Sequence, residues 1–158
     1  MLSKLKQRKE EGFTIIEVMI VLAIAGLIIL VVLLAIPALQ RNSRNTTIKN
    51  DASAVAGLIQ EYQGANNGRL PTISGTLSDA NGKVTVGTVA GQVKAGTEVT
   101  VGESLATGKE DTGKIVVVLK RKCNDTGTAL DAGANNRAVA LLYNIETSGT
   151  PVQNCLDA

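Results

Sequence analysis

Glu17 stands at the head of a stretch with no other charge until Arg41. It closes the run Gly12-Phe13-Thr14-Ile15-Ile16-Glu17, which follows Lys4, Lys6, Arg8 and Lys9 and precedes an uncharged apolar segment from Val18 to Leu39. That segment is long enough to cross a hydrocarbon core, which takes about 20 residues. A lone acid near the start of such a helix costs on the order of 3 kcal/mol, so it calls for a partner. The upstream bases favour keeping this end cytoplasmic. Other chemistry is poorly supplied. The chain has no histidine, which removes the commonest general base and metal ligand. Gly102-Glu103-Ser104-Leu105-Ala106 imitates a G-x-S-x-G elbow and fails at Ala106, and no Ser-His-acid triad can form. No phosphate-binding loop and no EF-hand ladder of acids is present. The sequence therefore describes no enzyme, no metal site and no cofactor.

The run from Gly12 to Glu17, with its basic flank and apolar sequel, resembles the prepilin signal of type IV pilins and pseudopilins; the specific motif covers Gly12 to about Gln40. The resemblance implies that a prepilin peptidase cuts on the cytoplasmic side between Gly12 and Phe13, and that Phe13 is then N-methylated. A secretory signal is cut beyond its apolar region; here the junction precedes it, so the processed chain keeps the helix. A plain bitopic anchor explains the charges and the length but not Gly, Phe, Thr and Glu at this spacing. The cut exposes an α-ammonium on Phe13, and residues four apart share a helix face, where the macrodipole also favours a carboxylate. Glu17 of one subunit can then neutralise the Phe13 ammonium of its neighbour and set the register of assembly, or pair within its own chain beforehand. Pro37 removes a backbone donor and predicts a kink or local melting, unless it marks the end of the span. The family often has Ile-Pro-Ala, like Ile36-Pro37-Ala38, but a few residues earlier, which suggests a short insertion within Leu27–Leu34.

Beyond the apolar segment, Ile48, Ala52, Val55, Ile59 and Tyr62 recur at intervals of four and three, the stripe of an amphipathic helix. Arg41, Arg44, Lys49, Asp51 and Glu61 fall off the stripe and are expected to face solvent. Gly64, Asn66-Asn67-Gly68 and Pro71 stop the pattern. The chain thus divides into a cleaved cytoplasmic leader (1–12), a long helix (13–64, with 13–39 transmembrane or filament core and 40–64 amphipathic) and a β-rich extracytoplasmic head (65–158). In the head, Asn81-Gly82 is a hairpin signal between Ile73–Leu77 and Val84–Val86. Val84-Thr85-Val86-Gly87 returns as Val99-Thr100-Val101-Gly102, which reads as two neighbouring strands. Ile115–Leu119 fits a strand buried on both faces, and Ala138–Tyr143 is another, followed by a Ser148–Pro151 turn. The expected fold is α+β and pilin-like: the helix packed on a small antiparallel sheet of about four strands.

Cys123 and Cys155 both lie beyond the apolar segment, in an exported, oxidising setting. A bridge between them is the expected state, and pilins commonly tie their last strands to the C-terminal segment in this way. Two cysteines without histidine leave too few ligands for zinc. The formal charge of +2 belongs to the leader; beyond Gly12 the side chains balance. Lys120-Arg121-Lys122 is the one basic cluster there, and nucleic-acid contact through it is the less favoured reading, because Tyr62 and Tyr143 give no stacking platform. Asn45-Thr46-Thr47 and Asn124-Asp125-Thr126 match the glycosylation sequon. The favoured function is a structural subunit polymerised into a surface pilus, with adhesion, twitching motility, DNA uptake and secretion all open as its use. Its implied partners are copies of itself, the prepilin peptidase and an inner-membrane assembly platform. The alternatives are a minor pilin, a pseudopilin of type II secretion or DNA uptake, and a membrane-anchored binding module.

Overall fold

From Val18 to Leu39 the chain is uncharged and mostly aliphatic, and in an apolar setting helix is the conformation in which such a segment satisfies its own backbone. A computed structural model describes residues 12–105 and 111–158. The leader bases Lys4 to Lys9, with Glu10 and Glu11, lie outside the described residues, as does Ala106. The chain falls into two units, one ending at Leu39 and one from Gln40 to Ala158. One helix, α1 (Ile15–Ala65), contributes to both.

In the first unit, α1 runs through Gly26 and Pro37 without interruption, so the proline does not end the helix. By length and composition α1 is able to cross a membrane. The large hydrophobic side chains from Phe13 to Leu39 are exposed.

In the second unit, α1 becomes one-sided. Ile48, Ala52, Val55, Ala56 and Ile59 are buried, with Leu58 and Tyr62 packed beside them. The helix stops where Asn67 and Gly68 take positive φ (54° and 74°), and the Gly68 N–H returns to the Gln63 carbonyl at 2.7 Å. This is the left-handed C-terminal cap that Asn-Gly readily adopts.

Six strands follow: β1 (Lys83–Val86), β2 (Val89–Gln92), β3 (Glu98–Val101), β4 (Lys114–Cys123), β5 (Leu130–Ile145) and β6 (Val152–Asp157). β1 and β2 form a hairpin; the other four form a sheet in the order β3-β4-β5-β6. β4–β5 and β5–β6 are antiparallel, but β3 runs parallel to β4, so the sheet is mixed rather than antiparallel. Residues 102–113 join the parallel pair, which matches the crossover of about a dozen residues that such a pair needs. The two Val-Thr-Val segments are β1 and β3, and they are not neighbours. Leu77 stands between them, donating its N–H to Val99 and accepting from Thr85 N–H (2.7 and 3.2 Å). The Ile73–Leu77 region contributes isolated bridges instead of a full strand, with Asn81-Gly82 in the turn that leads into β1.

The period-2 alternation of β4 gives the sheet two buried faces. Ile115 and Val117 join Val139, Leu141 and Tyr143 in the core that includes α1. Val116 and Val118 pack with Leu105 and Leu142 on the opposite side. That is why the run Ile115–Leu119 is apolar throughout. Gly87 and Gly91 of the β1–β2 hairpin lie close against Tyr62 and Leu58; a side chain at 87 would run into the Tyr62 ring, and one at 91 would require Leu58 to shift.

Past Leu119 the β4–β5 pairing loses register, and Lys120 takes a positive φ of 62°. The tip of this hairpin is drawn onto β6: Cys155 N–H donates to Gly127 O at 2.8 Å, and Cys123 N–H donates to Asp157 Oδ1 at 2.7 Å. Cys123 and Cys155 are joined by a disulfide there, with Cα atoms 5.6 Å apart.

Candidate functional site

The chemistry-bearing residues of the first unit sit at the start of α1. Thr14 precedes the first helical residue, Ile15, and Glu17 falls three residues after it. Their side chains satisfy one another's backbone. Thr14 N–H donates to Glu17 Oε2 at 2.8 Å, the Thr14 hydroxyl donates to the same oxygen at 2.6 Å, and Glu17 N–H donates to Thr14 Oγ1 at 3.3 Å. This is a capping box, which satisfies two otherwise orphaned N–H donors of a helix start. Gly12 and Phe13 precede it, exposed and outside any helix or strand. In the uncut chain the Phe13 nitrogen is an amide, so Glu17 is occupied within its own chain by Thr14.

Over residues 7–33 the chain matches the family model of the prokaryotic N-terminal methylation motif. The chain carries a prepilin-type signal. Type IV pilins and pseudopilins are made with this signal, which implies processing by prepilin peptidase and fits a membrane-anchored precursor. The α+β architecture, one long apolar helix followed by β-sheet, is consistent with the pilin fold. No curated protein and no solved structure matches the chain.

In this prepilin-type chain the remaining sites lie apart from the signal. The basic cluster is split: Arg121 Nη1 donates to the Asp131 and Ala132 carbonyls (3.1 and 3.0 Å), while Lys120 and Lys122 are exposed. Asn45 does not present a free amide to a glycan. Its Nδ2 donates to Glu146 O at 2.8 Å and its Oδ1 accepts from Glu146 N–H at 2.7 Å. Beside it, Arg44 makes a two-pronged ion pair with the Glu146 carboxylate (2.6 and 2.7 Å). The Arg44 hydrogen bond holds the Glu146 carboxyl below the usual carboxylate range, against a smaller upward push from burial. Asn124 Oδ1 shapes its turn, accepting from Thr128 and Ala129 N–H (3.0 and 3.2 Å).

Three features escape a reading by hydrophobic stripe. The Thr14-x-x-Glu17 spacing is itself the capping-box signature. Asp51, expected to face solvent, is buried: its carboxylate accepts from Thr97 Oγ1 at 2.6 Å and from Lys94 N–H at 3.1 Å. Its position directly before Ala52 on the stripe was the available hint. The Asn45–Glu146 contact spans about a hundred residues of sequence, and nothing local announces it.

Proposed function

We propose that this chain is a type IV pilin: a structural subunit that is exported, cut between Gly12 and Phe13, N-methylated on Phe13, and polymerised through its apolar helix into a surface filament. The observation that carries the reading is the prepilin signal set directly before a half-helix, ending at Leu39, whose large side chains are exposed among the described residues. Such a surface has two acceptable surroundings, lipid and the same surface on neighbouring subunits. The second unit, by contrast, has a closed core and a disulfide suited to an exported head. On this reading residues 1–12 are the leader, 13–39 the membrane span and later filament core, and the rest the head with its supporting half-helix. Glu17 sets register by meeting the Phe13 ammonium of a neighbour, and Pro37 accommodates the helix to its packing. Partners are other copies, the peptidase and the assembly platform.

The test is expression with and without a prepilin peptidase, followed by N-terminal mass spectrometry and electron microscopy of sheared filaments. Loss of twelve residues and an N-methylated Phe13 in filament protein are expected. Replacing Gly12 by a bulky residue should leave the chain uncut in the membrane. Extracellular filaments whose subunits still begin at Met1 would overturn the proposal.

A further inference from the structure

Basic residues just past a membrane span are disfavoured on its exported side. Arg41 and Arg44 nevertheless follow Leu39, the last residue of the apolar segment, within one and a half turns of the same helix. Arg44 is answered by Glu146, whose two carboxylate oxygens it holds. Arg41 is half-buried and feels the Glu146 charge at longer range, but it donates no hydrogen bond to any described residue. It lines a cavity of about 320 Å³ together with Thr112 and the β5–β6 connection, including Ser148 and Gly149. That volume is at the lower end of small-ligand sites, roughly 300–1,000 Å³.

The connection is bent into a cup by Thr147, whose Oγ1 donates to Thr150 O at 2.7 Å and accepts from Gly149 N–H at 3.2 Å. Ser148 is left as an exposed hydroxyl of the wall. Two acids stand near, and each has its own cation. Glu146 is held by Arg44, and Asp111, beside Thr112, lies 3.2 Å from Lys114 Nζ. The positive charge of Arg41 is what remains. A guanidinium beside a hydroxyl suits a phosphate, which Arg can grip with two parallel N–H donors. Arg41 also lies only about 3 Å of helix rise beyond Leu39, at the depth where a span gives way to lipid headgroups.

We propose that this cavity binds the phosphodiester of an anionic phospholipid of the exported leaflet, with Arg41 as the phosphate-binding residue and Ser148 as a second donor. The proposal rests on the reading of residues 13–39 as the membrane span. The bound headgroup ties the second unit to the bilayer surface while the chain is still a membrane protein.

The experiment uses the full-length chain reconstituted in phosphatidylcholine vesicles that contain a photoactivatable headgroup analogue of phosphatidylglycerol. Labelled positions are located by mass spectrometry, because the leader bases also attract anionic lipid and total binding would not tell the two apart. Label is expected within residues 146–151. Arg41→Gln should lower that label about fivefold, the effect of losing one cation at an anionic membrane surface. Arg44→Gln should lower it too, because Glu146 then turns to Arg41. Lys122→Gln, on the exposed end of β4, should leave it unchanged. Label confined to the leader, label at 146–151 that survives Arg41→Gln, or equal label from a zwitterionic phosphatidylcholine analogue would each overturn the proposal. Displacement of the label by millimolar inorganic phosphate would assign the cavity to a soluble anion and overturn the lipid source. Alkaline carbonate separates the two levels of failure: a chain it extracts from the vesicles removes the membrane-span reading, whereas an embedded chain without label at 146–151 removes the site alone.

Discussion

Replacing both Cys123 and Cys155 by serine in a fragment from Gln40 to Ala158 should cost about 4 kcal/mol of stability. The bridge closes a loop with a sequence separation of 32. In the chain-entropy model that length corresponds to about 4 kcal/mol removed from the unfolded ensemble. The native contacts around it do not depend on the sulfurs. β6 pairs with β5 from Ala140↔Asp157 to Ile145↔Val152, and the Cys155–Gly127 and Cys123–Asp157 bonds use backbone donors that serine retains. The variant should therefore keep its fold and lose its margin, since a domain is typically stable by about 5–15 kcal/mol. At roughly 3–5 °C per kcal/mol for a domain of this size, the melting temperature should drop by about 12–20 °C. Urea unfolding of the parent and the variant measures the difference. The m-value should rise as well, because the unlinked chain exposes more surface when unfolded. A loss below about 1 kcal/mol with unchanged m would show that the bridge constrains nothing the rest of the tip does not already hold.

The fragment lacking residues 1–39 should be a soluble monomer, because among the described residues Val152 is then the one exposed large hydrophobic left; a concentration-independent oligomer in analytical ultracentrifugation would refute this. Asp51→Ala leaves the buried Thr97 hydroxyl and the Lys94 N–H without their acceptor, for an expected loss of about 1–3 kcal/mol in urea. Gly87→Ala should destabilise the head more than Gly91→Ala: at Gly87 a β-carbon meets the Tyr62 ring in a backbone of φ +60°, whereas at Gly91 it meets the movable end of Leu58. Glu146 has a lowered folded-state pKa, so its contribution is present above the unfolded carboxylate value and is lost as pH falls through the folded one. Glu146→Gln should flatten the acid side of the melting-temperature profile while leaving Asn45 bonded to the 146 backbone, and the effect should be small because the pair is solvent-facing.

How far the sequence discloses this molecule follows from the range over which each signal acts. The apolar segment and the stripe from Ile48 to Tyr62 are local periodicities, and α1 carries both as expected. Ile115–Leu119 needs no partner to be recognised, since a strand covered on both faces is apolar at every position. Strand order is different. Val84–Val86 and Val99–Val101 look like a pair because they are alike, but a backbone with no special side chains, around Leu77, separates them. β2 and β6 contain Gly, Gln, Asn and Asp, and their residues alternate too weakly to stand out from loops. Lys120 at φ 62° breaks the β4 register where the composition shows a basic patch and nothing else. At the candidate site, Glu17 was legible because a charge in an apolar run is conspicuous. Thr14 was legible as a member of the same signal, but its bond to Glu17 was not, because the T-x-x-E spacing of a cap is masked by the aliphatic residues around it.

The same contrast bears on what decides assembly, if the chain is a pilin. At about 25 cal/mol per Å² the exposed surface from Phe13 to Leu39 is held strongly out of water. Lipid and a bundle of like helices are equally apolar, however, so that large term cancels in the transfer from one to the other. What remains is small and polar. An unpartnered carboxylate at mid-membrane costs on the order of 3 kcal/mol. Glu17 stands at the head of the helix and already accepts from Thr14, so that figure is a ceiling. At about 1.4 kcal/mol per tenfold, its relief favours the filament by at most roughly a hundredfold per subunit. On the pilin proposal, the bulk of the helix would set where the chain can reside, and the few polar atoms around Glu17 would set which of the two apolar environments it takes. A conservative change within the aliphatic run, such as Ile→Val, should accordingly disturb assembly far less than loss of the single carboxylate.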